Sequence, residues 1–527
     1  MKIHRLQVVV ILSEAKAESA RRGHVVSSAA NLSPCFATPT SERPRPFDRL
    51  RVTARRTTLA YVRLSAVTLL ALTLFAPRPA SAQGPLTPPG PPSPTMLTLS
   101  QIEPRIPISS APYTITASGS YYLTTNVSVA TGTAIHINAS GVTLDLRGFT
   151  ISSTASSAVN SAILLASAIS DVAIFNGHIL SGVTYSGGSF TGSGFAWGIT
   201  GNSGSPPFNT RVTDVTVHGV STDAIYLDPG AGYGSVVEHC TVYTAGGHGI
   251  VADTVDDSVA YDCGTYGIYA NTVLNCSASV VGSASADAIY AVATTENCSG
   301  VCSNNSGVGV YACAAQNCYG VNNGSGYGVN VTENAINCYG YSVSGFGLNA
   351  FTAENCYGVS SNGNGLAVND TAVGCYGQSG AGAGLYCVVA ALSCSGVSSN
   401  GVGLWSNYTA NNCYGVSQNN TGVYCDGTAV NCYGISNGAS NCFGLYAGVA
   451  QNCYGYGSAG GDGLHCVYTI IGCFGYSASG YGVYVAEIAN SCYGWSGSST
   501  GLFANVANSC AGSGTPNYVV LNKYNMP

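Results

Sequence analysis

The chain has 527 residues, only 8% of them charged, with 68 Gly, 34 Tyr and 22 Cys. So few charges exclude a solvated disordered chain, and so much Gly excludes a helical one, because Gly weakens helices. Thirteen of the 17 Lys and Arg precede residue 80; from Gln83 onward four face 19 Asp and Glu, a net charge of −15 without the basic footprint that nucleic acid requires.

The first 82 residues read as a presequence. Arg43 to Arg63 is Arg-rich, Leu64 to Ala76 is an apolar run too short to span a bilayer, and Ala80-Ser81-Ala82 is a small-residue cleavage site. The expectation is a signal peptide, a mature start at Gln83, and a secreted, extracellular or periplasmic product that leaves the membrane once the signal is removed. The stretch before the signal is longer than export needs, so true initiation is expected near Leu50 or Val52. Residues 83–110 are Pro-rich and read as an extended linker.

Residues 111–515 are repetitive, and 516–527 form a short tail without an apolar anchor. One half-repeat reads G-x-G-[LIV]-Y-[small], as in Gly307–Ala312, Gly382–Cys387 and Gly480–Val485. The other reads N-C-Y-G, beginning at Asn317, Asn337, Asn355, Asn412, Asn431 and Asn452. The aliphatic position runs from Ile225 through Leu348 and Leu404 to Leu502, mostly in steps of 18 to 21 residues. Each half is short and bounded by Gly, so each predicts a strand, and a coil of two or three strands repeated along an axis is a β-solenoid. Period-two alternation then points the aliphatics, Ala and Cys inward and the aromatics outward. One outward row holds Tyr226, Tyr269, Tyr290, Tyr311, Tyr386, Trp405 and Tyr424, continuing to Phe503; another runs from Tyr319 to Tyr493.

The opening rungs carry Val142-Thr143-Leu144-Asp145-Leu146-Arg147-Gly148-Phe149-Thr150-Ile151. This segment resembles the start of bacterial secreted right-handed parallel β-helix proteins of the pectate-lyase-like superfamily, and the resemblance covers roughly residues 111–515. It implies an all-β, right-handed parallel β-helix with rungs of about 19–20 residues, but no particular reaction, since fold does not fix function. Pectate lyases of that superfamily use an Asp cluster for calcium and a basic residue, yet no Lys or Arg lies between Arg211 and Lys523. Polygalacturonase-type pieces are echoed in Ser221-Thr222-Asp223, Gly247-His248-Gly249 and Asp256-Asp257, but out of order and without the basic element.

The mature chain's densest polar region is 214–262, and the Asp/His patch it opens extends to 287. Aligning the half-repeats puts Asp223, His248, Tyr266 and Asp287 in one column, with Asp223 and His248 on consecutive rungs and in reach of each other. Asp253, Asp256 and Asp257 follow the His248 strand and are candidates for the second carboxyl that glycoside hydrolysis uses. Solvated turn residues are the plainer account of the five acids and His248. The inward Cys column is straight and does not converge as a metal site must, so neither metal nor cofactor is expected. The reading is a monomeric extracellular β-helix, mainly structural, with polysaccharide as its candidate partner through the aromatic rows. A metal-independent glycoside hydrolase and a cell-surface adhesin are the alternatives, and whether the protein is an enzyme stays open.

Overall fold

A computed structural model describes residues 103–526, apart from 202–204, 229–232, 283–284, 304–305 and 440. The signal segment, the cleavage site and most of the Pro-rich linker lie outside the described residues. The rest is a parallel β-solenoid of about 21 turns, with no helix among the described residues.

A regular turn has three strands, such as Val310–Ala312, Ala314–Gln316 and Tyr319–Asn322. Each pairs in parallel with its equivalent one turn on: Val310 with Val329, Ala315 with Ala335, Tyr319 with Tyr339. Three sheets result. The stack also takes in Ile106–Ile108, paired with Tyr121–Leu123, and Tyr518–Tyr524, paired with Leu502–Asn508. Pairing thus begins inside the stretch expected as linker and reaches the expected tail.

The interior is built from columns. The first sheet contributes the aliphatic column, fully buried from Ile225 to Leu502. The second sheet contributes alanines, Ala335, Ala353, Ala372, Ala391, Ala410 and Ala429 among them. The third contributes cysteines at its start and serines at its end. Those serines close the next corner: the Ser342 hydroxyl donates to the Gly326 carbonyl at 2.6 Å and accepts from the Gly345 N–H at 2.9 Å.

Two features of the repeat have direct steric causes. The Gly of N-C-Y-G points inward, and a Cβ there would run into a main-chain carbonyl, as at Gly358 against Gly365. Here the first and third sheets come too close for any side chain. The Asn of N-C-Y-G takes the left-handed conformation, with φ of 53° at Asn317 and Asn337, which Asn tolerates. Its amide also bonds the Asn one turn back, Asn317 to Asn297 at 3.0 Å and Asn337 to Asn317 at 3.2 Å.

Candidate functional site

The regular rung is interrupted near its N-terminal end. Between Ser161–Leu165 and Trp197–Thr200, which pair directly, the chain makes the long strand Ser170–Leu180 and a small antiparallel hairpin, Thr184–Ser186 with Ser189–Thr191. The hairpin is tied to a later turn, the Tyr185 hydroxyl donating to the Val281 carbonyl at 3.0 Å. Beside this enlarged rung lies a cleft of about 570 Å³ whose walls include Trp197, Thr200, Tyr226, Asn160, Asp223 and His248.

Register explains why these residues meet. Ile163, Ile199, Ile225 and Ile250 stack in one inward column. The residues two positions earlier therefore stack as well: Ser161, Trp197, Asp223 and His248. Tyr226 follows Ile225 and so faces outward beside them. His248 Nδ1 lies 2.8 Å from Asp223 Oδ1, and the same oxygen accepts the His248 main-chain N–H at 2.8 Å. A carboxylate only accepts, so the proton sits on Nδ1 and Nε2 is left to face other partners. Both contacts fall on Oδ1, and the Asp223 side chain keeps 19% of its surface. The His248 ring stands edge-on to Tyr226 at 5.8 Å and stacks on Tyr266 at 5.6 Å. Burial, then Asp228 and Asp223, push the Tyr226 hydroxyl above its usual range.

The other expected acids do not join this pair. Asp253 is buried within the strand Ile250–Asp256, accepting from Ser235 N–H at 2.9 Å and Asn271 Nδ2 at 2.9 Å. Asp256 accepts from Asp257 N–H at 2.9 Å and Asn275 Nδ2 at 3.0 Å, starting the asparagine ladder. Asp257 lies 3.6 Å from His239 Nε2 on an exposed turn. Asp287 shares the column of Asp223 but three rungs away, about 14 Å at the spacing of parallel strands. It is buried, accepts the Val308 N–H at 2.6 Å, and burial raises its carboxyl to about 6. Asp223 and Asp287 thus share one local task, receiving the amide of the next rung.

The aromatic row is in register as expected: Tyr269 on Tyr290, Tyr290 on Tyr311, Tyr386 on Trp405, Trp405 on Tyr424. It is broken by Val251 after Tyr226 and by Asn330, Asn349 and Ala367 between Tyr311 and Tyr386. Its side chains are half-buried, and most rings lie face to face, as Tyr290 on Tyr311 at 4.6 Å and 13°. Such rings turn edges, not faces, to the solvent. Faces are released where the stacking fails. Trp405 stands at 87° to Tyr386 and 64° to Tyr424, beside a hollow of about 360 Å³ that Asn364 and Asn420 also line.

Two features escaped the sequence reading. Trp197 is one, and the signal that marks it is the likeness of Trp197-Gly198-Ile199 to His248-Gly249-Ile250. His465 fills a gap in the aromatic row, stacked on Tyr446 and Tyr484, with Nδ1 2.8 Å from Asp462 Oδ2. Comparison with known family profiles, characterised proteins and solved structures finds no match to this chain.

Proposed function

We propose that this chain is an exported β-helix protein, akin to the pectate-lyase-like superfamily, that binds polysaccharide along its first sheet, with the Trp197–Tyr226 cleft as the principal site. The observation that carries the reading is the cleft: two aromatic rings beside hydroxyl, amide, carboxylate and imidazole groups, at the rung that carries the hairpin insertion. Sugar rings present apolar C–H faces and a rim of hydroxyls, which aromatic surfaces and nearby polar groups match. The hollow at Tyr386 and Trp405, with Tyr424 behind it, is a second point of contact for a long chain. The stacked rows between them stiffen the coil.

The contact of Asp223 with His248 favours a second reading, in which the cleft cleaves what it holds. The carboxylate fixes the imidazole's tautomer and orientation, as general acid–base chemistry requires. Asp287 is too far away, and Asp253, Asp256 and Asp257 are held in structural bonds, so none of the acids expected from the sequence supplies the second carboxyl of a two-carboxylate glycosidase.

A glycan array with the mature protein tests both readings. Trp197→Ala and Tyr226→Ala are expected to weaken binding about tenfold, the worth of one good aromatic contact. Tyr357→Ala, in the stacked third-sheet row, should leave binding unchanged. Equal loss in all three, tracking melting temperature, would reduce the aromatics to a structural role. Reducing ends released from a bound glycan, and lost in His248→Ala, would establish the enzymatic reading.

A further inference from the structure

We infer that the glycan this cleft selects is cationic, a polymer carrying free amino groups, and not an acidic or a neutral one. The inference rests on the glycan reading above and adds the charge of the ligand.

The first support is the fate of the cations. Among the described residues Arg105 is bonded to Glu103 and Asp145, and Arg211 to Glu238. Arg147 and Lys523 lie over the rings of Tyr122 and Tyr518. No Lys or Arg lines either hollow, and between residues 211 and 523 the chain has none. A uronate chain would find no Lys or Arg to pair with in either hollow, and in the cleft it would face the Asp223 carboxylate.

The second support is the arrangement inside the cleft. Asp223 lines the cleft and spends Oδ1 on His248, and no hydrogen bond among the described residues engages its other oxygen. Asp228 lies two residues after Tyr226 in the chain, and its carboxylate, like that of Asp223, acts on the Tyr226 phenol. Trp197, 37% exposed, and Tyr226 provide the aromatic faces. A carboxylate beside aromatic faces is how proteins recognise ammonium groups: charge pairing supplies attraction, and the ring quadrupole adds to it where water is displaced. A neutral sugar can offer that carboxylate a hydroxyl, whereas an ammonium adds charge pairing to the hydrogen bond, which is the stronger contact.

Calorimetric titration of the mature protein with three oligosaccharides tests this: a β-1,4-linked glucosamine oligomer, its fully N-acetylated counterpart, and an oligogalacturonate. The pH is kept just below neutrality, where sugar amines carry protons. The glucosamine oligomer is expected to bind at least about tenfold more tightly than the N-acetylated one, with the advantage shrinking as salt is added. Asp223→Asn should remove most of that advantage while leaving the weaker binding of the N-acetylated oligomer in place. Trp197→Ala, should Asp223→Asn fail to fold, is expected to weaken both amino-sugar oligomers together. Equal, salt-insensitive affinity for the first two, or tighter binding of the oligogalacturonate, would overturn the charge assignment and keep the glycan reading. Binding of none of the three would overturn both.

Discussion

Asp287 sits where most rungs carry an uncharged residue, and its carboxyl has been drawn into the wall of the coil. Burial raises it from 3.8 to about 6, although the Val308 N–H bonded to it pulls the other way. The folded state therefore holds a proton that the unfolded chain has released between those two values. Stability from this group is fully present below pH 3.8 and is lost as pH rises through about 6, by up to about 3 kcal/mol at 1.36 kcal/mol per unit. Asp287→Asn keeps an acceptor for the Val308 amide and removes the charge. In denaturant titrations at a series of pH values, the variant is expected to gain on the wild type as pH rises from 4 towards 7. A constant difference across that range would show that Asp287 stays ionised in the fold. Asp223 receives an amide in the same way, but its partner is a histidine, and that replacement sets an imidazole against the same carboxylate oxygen.

The three-stranded turn explains which elements the sequence made legible. The first and third strands announce themselves through Gly-x-Gly-Leu and Asn-Cys-Tyr-Gly because sterics constrain them. The inward Gly has no room for a Cβ, and the Asn has a positive φ that few other residues accept. The second strand, with Ala inward and Thr or apolar residues outward, has no such constraint and reads as a linker between the two. The Asp223–His248 contact followed from column alignment alone. The cleft did not, because it depends on the inserted hairpin and on Trp197 entering the same column from a rung of unusual length. Gly358→Ala places a Cβ against the Gly365 carbonyl and is expected to cost about 1–3 kcal/mol, as overpacking does. Gly374 has φ +62° at the position other rungs give to Asn, so Gly374→Asn should change stability by less than about 0.5 kcal/mol. Thermal melts of the two variants separate close approach from backbone conformation; equal effects would dissolve the distinction.

At the scale of the whole molecule the solenoid is held along its axis by columns, and the cysteine column is the most unusual. It runs unbroken from Cys276 to Cys510, just inside the asparagine ladder, and all 21 described cysteines are free. Stacked strands are about 4.7–4.9 Å apart, wider than the Cβ separation a disulfide prefers, so neighbouring rungs cannot be bridged without distortion. Each sulfur instead faces main-chain carbonyls, as Cys356 Sγ faces those of Ala335 and Glu354, both at 3.3 Å. Burial pushes the thiols of Cys240 and Cys425 up to about 12 and those of Cys387 and Cys466 up to about 11. At neutral pH these four thiols, which lie outside the Cys276–Cys510 column, are protonated, and the thiols of the column itself are kept from an oxidant by their burial in the stack. An exported chain could then keep its thiols in an oxidising compartment for as long as it stays folded. Thiol titration of the mature protein is expected to find only the half-exposed Cys313 and Cys442 before denaturation, and all 21 in denaturant without reductant. A markedly lower count in denaturant would mean that cross-links hold the coil together. A high count in the native state would mean that the column opens readily, and that the stack is held by its aliphatic and alanine columns alone.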